Sequence, residues 1–280
     1  DDNTAFGYNA LEANTTGGNN VAVGKDALLA NTTANDNTAV GLQSLKTNIT
    51  GAGNTAIGRD ALEANTDEQN TAVGAFALEA NTTGGYNVAI GYEAMTANTT
   101  ADLNVAVGRR AMYKNTTATG NTAVGAASLA ENVTGANNTA IGHYALVANT
   151  TGPHNTAVGK SALAAQTIGE GNIAFGGNAG DAITTGNYNI CVGYLAGTHE
   201  TNLTTGTGNV LIGDYADVSA ADSDYANVFG HDVTGVAGYT TVGKAGDDIA
   251  AAHGNVTWAT VSDERVKKDI EDATVGLAFI

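Results

Sequence analysis

A five-residue pattern, Asn-Thr/Val-Ala-Val/Ile-Gly with small departures, returns at Asn3, Asn20, Asn37, Asn54, Asn70, Asn87, Asn104, Asn121, Asn138, Asn155, Asn172, Asn189 and Asn209. The step is 17 residues almost throughout, shortening to 16 between Asn54 and Asn70 and lengthening to 20 between Asn189 and Asn209. Self-similarity at a short fixed period restricts the fold to a solenoid, whose units bury their apolar faces only against their neighbours. Composition agrees. Aromatic residues make up 6% and charged residues 14%, too few large side chains for one thick core and enough small ones for many thin layers.

One unit, Asn121 to Asn137, shows how a coil is expected to form. Thr122 and Val124 point to one side of a strand, and Ala123 and Gly125 to the other. The branched residues favour extended backbone, while alanine lets a second surface approach. Thr134 to Asn137 read as a turn in which Gly135 or Asn137 takes positive φ. The glycine at the fifth place, as at Gly24, Gly41 and Gly58, suits a sharp corner or a close backbone contact. The middle of the unit, such as Arg59 to Ala64 or Tyr92 to Ala97, contains helix formers but is too short for an independent helix. One helical turn and a second short strand both fit, and the strand is favoured.

The expected fold is therefore mainly β, a parallel β-solenoid of about thirteen coils over residues 1–213. Two faces of small and branched residues imply two contacts, one inside the coil and one between chains. Three chains around one axis would cover the second face and hide the strand edges, so a homotrimeric fibre is the physical expectation, although periodicity does not count subunits.

The Asn-x-Ala-Val/Ile-Gly units resemble the left-handed parallel β-roll repeats of trimeric autotransporter adhesin heads and the related repeats of phage tail fibres. The resemblance covers roughly residues 3–213, and the unit here is longer than the 14-residue repeat of the adhesin heads. It implies a left-handed, homotrimeric β-roll.

After Gly213 the repeat decays. Residues 214–261 read as a degenerate β transition region, with an acidic, loop-like stretch from Asp214 to Asp224, degenerate strands at Asn227–Gly230 and Thr240–Gly243, and a strand at Asn255–Val261 that carries the single tryptophan, Trp258. Residues 262–280 form a third segment. Its opening, Ser262-Asp263-Glu264-Arg265-Val266-Lys267, resembles the start of the intramolecular chaperone domain that ends many phage tail spikes and fibres. That resemblance implies a domain that assembles the trimer and then releases itself. Ser262 would be the nucleophile, Lys267 the general base and Val261–Ser262 the scissile bond. The lysine must be partly neutral near pH 7, which burial or the nearby Arg265 and Lys268 would promote. Five residues of separation place the two side chains on different faces of a helix or strand, so a bend or a neighbouring subunit has to complete the site. The same stretch also reads as a plain helix start, with Ser262 as its cap and Asp263 and Glu264 in the first turn. It is far shorter than a complete chaperone domain, so this chain alone is not expected to perform the cut.

A net charge of −17 argues against nucleic acid or an anionic membrane surface as partner. No stretch is apolar enough to insert in a membrane, and there is no signal peptide; because the chain opens inside a repeat, the natural product is expected to extend further toward the N-terminus. Cys191, the single cysteine, reads as a small buried residue. His143, His154, His199, His231 and His253 lack metal-ligand spacing, and no cofactor is implied. Asn14, Asn31, Asn81, Asn98, Asn115 and Asn149 fit the glycosylation sequon but read as turn elements that bond local backbone or stack as ladders. Glu12, Glu63 and Glu79 share one repeat position and read as a solvated stripe, with no pair marked out for glycoside hydrolysis. Ice binding is disfavoured because regular Thr-x-Thr arrays are missing.

The lengthened coil places His199 to Leu203 where a loop should protrude, the best candidate for a special contact. The function that these readings favour is a structural and adhesive fibre on a virion tail, contacting a host-surface glycan or protein. Self-cleavage would be its only enzymatic act. A bacterial cell-surface adhesin and a polysaccharide-depolymerase spike are the alternatives.

Overall fold

The structure, a computed structural model, describes residues 2–254 and the backbone of 259–260. Among these residues every regular element is a β-strand. Thirteen strands of three residues, from Thr4–Phe6 to Val210–Ile212, occupy the second to fourth places of successive coils, numbered here from the coil that opens at Asn3. Each pairs in parallel with the equivalent strand of the next coil, as Val105, Ala106 and Val107 pair with Thr122, Ala123 and Val124. The ladder continues past Gly213. Asn227–His231 pairs in parallel with Val210–Ile212, and Tyr239–Lys244 pairs in parallel with Asn227–His231. These rungs make a parallel β-solenoid of about fourteen turns. At the strand spacing of about 4.8 Å, its fifteen parallel strands span roughly 65 Å.

The ladder ends by reversal. Asp247–Ala252 folds back antiparallel on Tyr239–Lys244, and Ala259–Thr260 lies antiparallel beside it. The acidic stretch after Gly213 differs from the expected loop. It carries a short strand, Asp217–Val218, paired in parallel with Thr234–Gly235.

The strand alternation is as the sequence implies. The third-place alanines, such as Ala22, Ala89 and Ala123, have no exposed surface, while the second and fourth places face outward. The fifth-place glycine meets both reasons for its choice. Gly108 has φ of 136°, and a Cβ there would lie 2.5 Å from the carbonyl oxygen of Gly125 in the next coil. Neither strain nor space admits a side chain.

The middle of the coil is neither a second strand nor a helical turn. Ala27 and Leu28 are consecutive and both fully buried, whereas a strand would send one of them outward. The chain manages this with left-handed residues at the seventh and ninth places, such as Asp26 with φ of 57° and Leu28 with φ of 50°. A left-handed leucine costs roughly 1–2 kcal/mol. The cost is offset by burying the side chain and by bonds between coils. The Leu28 amide donates to the Ser44 carbonyl at 3.0 Å, and the Ala30 amide to the Lys46 carbonyl at 3.0 Å. The ninth places from Leu28 to Leu163, with Met95 and Met112 among them, stack into one apolar column.

The other half of each coil is polar. From the second coil onward the first-place and twelfth-place asparagines are buried, and they form two ladders along the axis. In the first, the Asn54 amide donates to Asn37 Oδ1 at 2.9 Å. In the second, Asn98 Nδ2 donates to Asn81 Oδ1 at 2.7 Å. Both asparagines of a coil also reach one carbonyl, as Asn37 and Asn48 donate to Gly51 at 3.0 and 2.8 Å. An unpaired buried amide costs about 1–3 kcal/mol, so the first-place ladder, unbroken from Asn3 to Asn209, holds the coils in register, while the twelfth-place ladder is interrupted on both sides of Asn48, where the Oδ1 atoms of Asn31 and Asn48 lack a partner.

Candidate functional site

Ser262, Lys267 and the Val261–Ser262 bond, together with Arg265 and Lys268, lie outside the described residues, as does Trp258. The described residues offer two candidate surfaces, one spread along the solenoid and one confined to its end.

The first is the outer face of the parallel sheet. From coil 1 to coil 13 the second place holds only Thr, Val or Ile, and the fourth only Val, Ile or Phe. No charged residue interrupts the stripe, although the chain carries a net charge of −17. Its side chains remain open to solvent, with Ile57, Ile90, Ile141 and Phe175 each exposed by 40% or more. The fourth-place column is apolar throughout, whereas the second place is threonine in seven of the thirteen coils and Val or Ile in the other six.

The second surface forms where the interior column breaks. In coil 11 the ninth place is Gly180, and Ile183 replaces the twelfth-place asparagine and fills the gap. A Cβ on Gly180 would lie 3.1 Å from Ile183 Cδ1. In coil 12 the ninth place is Gly197; Leu203, the fifteenth residue of this longer coil and the counterpart of Ile183, comes in, and Cys191 replaces the third-place alanine. Burial, with a smaller contribution from the Asp217 charge, pushes the Cys191 thiol up to about 12, so it acts as core and not as a nucleophile. In coil 13 the ninth place is Asp217, with Leu211 enlarging the third.

Asp217 explains the lengthened coil. Its Oδ2 accepts the Glu200 and Thr201 amides at 2.7 Å each, and its Oδ1 accepts the Val218 amide at 2.8 Å. Burial raises its pKa above the ordinary aspartate value, while these three amides oppose the shift. Of the expected protrusion His199 to Leu203, His199, Glu200 and Asn202 are exposed and Thr201 is half-buried, but Leu203 turns into the core and the loop is tied down. Leu203 anchors one end in the core, and Thr198 Oγ1 donates to the Asn178 carbonyl at 3.0 Å at the other.

This anchoring brings four rings together. Tyr215 meets Tyr194 edge to face with centroids 5.6 Å apart, His231 edge to face at 5.6 Å, and His199 at 4.5 Å. His199 Nε2 lies 3.9 Å from Asp232 Oδ1. The sequence singled out the His199 loop but not Tyr215, His231 or Asp217. A carboxylate in the leucine column was the available signal for Asp217.

His143 stacks on Tyr144 at 3.9 Å, and His253 Nε2 lies 3.3 Å from Thr240 Oγ1, so the histidines do not converge as a set. No group of three or more His, Cys, Asp or Glu among the described residues is arranged to hold a metal. Glu63 pairs with Lys46 at 3.1 Å. Glu79 is pushed up by burial and by the charges of Asp60 and Glu63. Of the six Asn-Thr-Thr asparagines, five are fully buried in the twelfth-place ladder; Asn14, in the first coil, is half-buried. The side-chain amides of the five buried ones donate to the preceding coil, which leaves no room for a glycan, while Asn14 Nδ2 donates to the Gly17 carbonyl of its own coil. Comparison of the chain with protein-family models, curated proteins and solved structures gives no match.

Proposed function

We propose that the chain is a segment of a structural and adhesive fibre, a left-handed β-roll that assembles as a homotrimer. The observation that carries this reading is the uncharged outer sheet face, continuous over thirteen coils of an otherwise acidic chain. Three such faces meeting at a common axis would remove the stripe from water and leave the charged corners outside. On the likeness of Ser262 to Lys267 to a chaperone opening, the fibre belongs to a phage tail and contacts a glycan or protein of the host surface. In the longer product, once the trimer had formed, Lys267 would take the Ser262 hydroxyl proton as Oγ adds to the Val261 carbonyl. The Val261–Ser262 C–N bond would break as that proton passes to the freed amine, and water would hydrolyse the resulting ester.

The test is the mass of the chain in solution. Light scattering after size-exclusion chromatography is expected to give three times the 28.0 kDa chain mass. Val124→Lys with Ile141→Lys, which puts cations into the stripe, is expected to give monomers. Thr117→Lys with Thr134→Lys, on exposed turns away from the sheet, is expected to leave the trimer intact. A monomeric parent chain contradicts the reading. For the cleavage step, the longer product should lose mass with Ser262 and keep it in Ser262→Ala.

A further inference from the structure

Aromatic side chains are sparse along the shaft and meet at most in pairs, such as Phe76 with Tyr92 and His143 with Tyr144. Only in coils 12–14, among the described residues, do four rings converge. They do so beside the single 20-residue coil and over the buried carboxylate that holds its loop. Tyr215 sits at the centre, half-buried and braced on three sides, while Tyr194 is 49% exposed and His199 and His231 stand open to solvent. Carboxylates line the rim. Asp232 faces His199, and Asp214 Oδ1 accepts the Tyr194 amide at 2.7 Å, fixing the backbone under that ring.

The arrangement costs the fold something. A carboxylate has replaced a core leucine, and two glycines have replaced others, with Ile183, Leu203, Cys191 and Leu211 restoring the lost volume. Stacking alone needs none of these changes, since the earlier coils stack without them. What the changes achieve is a rigid exposed loop with rings beside it.

We infer that this corner is a binding site for a neutral or N-acetylated saccharide, resting on the adhesive reading above. The C–H face of a pyranose packs on tyrosine rings, which contribute a contact already ordered before binding. Its hydroxyls donate to Asp214 and Asp232 and meet the His199 and His231 nitrogens, the few directional polar groups that set orientation in such sites. The chain charge of −17 and the acidic rim disfavour uronic and sialic acids.

The probe is a printed panel of neutral, N-acetylated and acidic oligosaccharides, presented to the intact chain. Retention of at least one neutral or N-acetylated member is expected, with acidic members weaker. Tyr194→Ala and His199→Ala remove solvent-open groups and leave the coil interior untouched. Each should weaken retention at least tenfold while thermal unfolding stays as in the parent. Tyr144→Ala, which removes an exposed ring of coil 9, should leave retention unchanged. Failure of every saccharide to bind, or binding by the two variants equal to that of the parent, overturns the site. A trimeric mass measured on the same samples leaves the fibre reading standing in that case, and a monomeric mass counts against the fibre reading instead.

Discussion

Coils 2–10 and coils 11–13 have the same strands and the same first-place asparagine ladder but fill their interiors differently. In the first group one leucine or methionine per coil stands at the ninth place, over a buried alanine or serine at the eighth. In the second the ninth place is Gly180, Gly197 and Asp217, and the missing volume arrives from the twelfth place, its counterpart in the longer coil, or the third. The backbone ladder tolerates this exchange because its hydrogen bonds do not depend on which side chain fills the middle. Volume is conserved across the pair of places, not at each place alone, as expected for interiors that are close-packed. The freedom gained is used at the surface, where a loop and a ring cluster appear.

The largest expected effect tests what the two regions share. Gly108→Ala drives a Cβ into the Gly125 backbone at a φ that alanine avoids. Its cost should exceed about 4 kcal/mol, read as loss of cooperative unfolding or a fall in denaturant midpoint. Next comes the anchor that only the second region has. Asp217→Ala leaves the Glu200, Thr201 and Val218 amides without their acceptor, for a loss of about 3 kcal/mol. Amide hydrogen exchange should rise at Glu200 and Thr201 and stay unchanged in coils 2–8.

A double-mutant cycle sharpens the comparison. Gly180→Leu alone overpacks, because its Cβ would lie 3.1 Å from both Ile183 Cδ1 and Leu163 Cδ2, and Ile183→Asn alone opens a void. Together they rebuild the ordinary coil. The left-handed φ of 57° at Gly180 is one that leucine adopts at this place elsewhere. The pair should therefore be more stable than the sum of the single changes by about 1–3 kcal/mol.

The smallest effect is a pH dependence. Burial lets folded Asp217 hold its proton to higher pH than the unfolded chain does, so unfolding releases that proton between the two values. The contribution of this group is therefore full below the ordinary aspartate pKa and declines as pH rises through the raised one. Thermal scans across that window should show a steeper fall for the parent than for Asp217→Asn. Equal slopes would remove the effect.

How much of this was legible in the sequence follows from which residues carry a local signal. The Asn-x-Ala-x-Gly spacing placed the strands, the alternation of their side chains and the glycine at its close backbone contact, because alternation and positive φ leave marks on residue choice; that the alanine side is the inner one shows only in the stacked coils, where Ala22, Ala89 and Ala123 are buried. The stacking of the sequon asparagines was legible for the same reason. The middle of the coil was not. Leucine at positive φ, as at Leu28 and Leu45, runs against its own preference and is held there by the neighbouring coils, so nothing local announces it. The loop at His199 was visible as a break in spacing. The ring cluster was not, since Tyr194, Tyr215 and His231 come from three coils and meet only once the rungs are stacked.

The central claim is that one coil is the unit of structure and that its neighbours are interchangeable supports. It is tested most directly by deletion. A chain lacking residues 104–120 loses one whole coil, so Asn121 follows Leu103 directly and takes the place that Asn104 held. It should unfold cooperatively, with the parent's β-sheet circular dichroism and a particle shorter by about 4.8 Å in electron micrographs. A chain lacking only residues 104–112 should lose that order. Equal behaviour of the two deletions, whether both fold or both fail, would contradict the account.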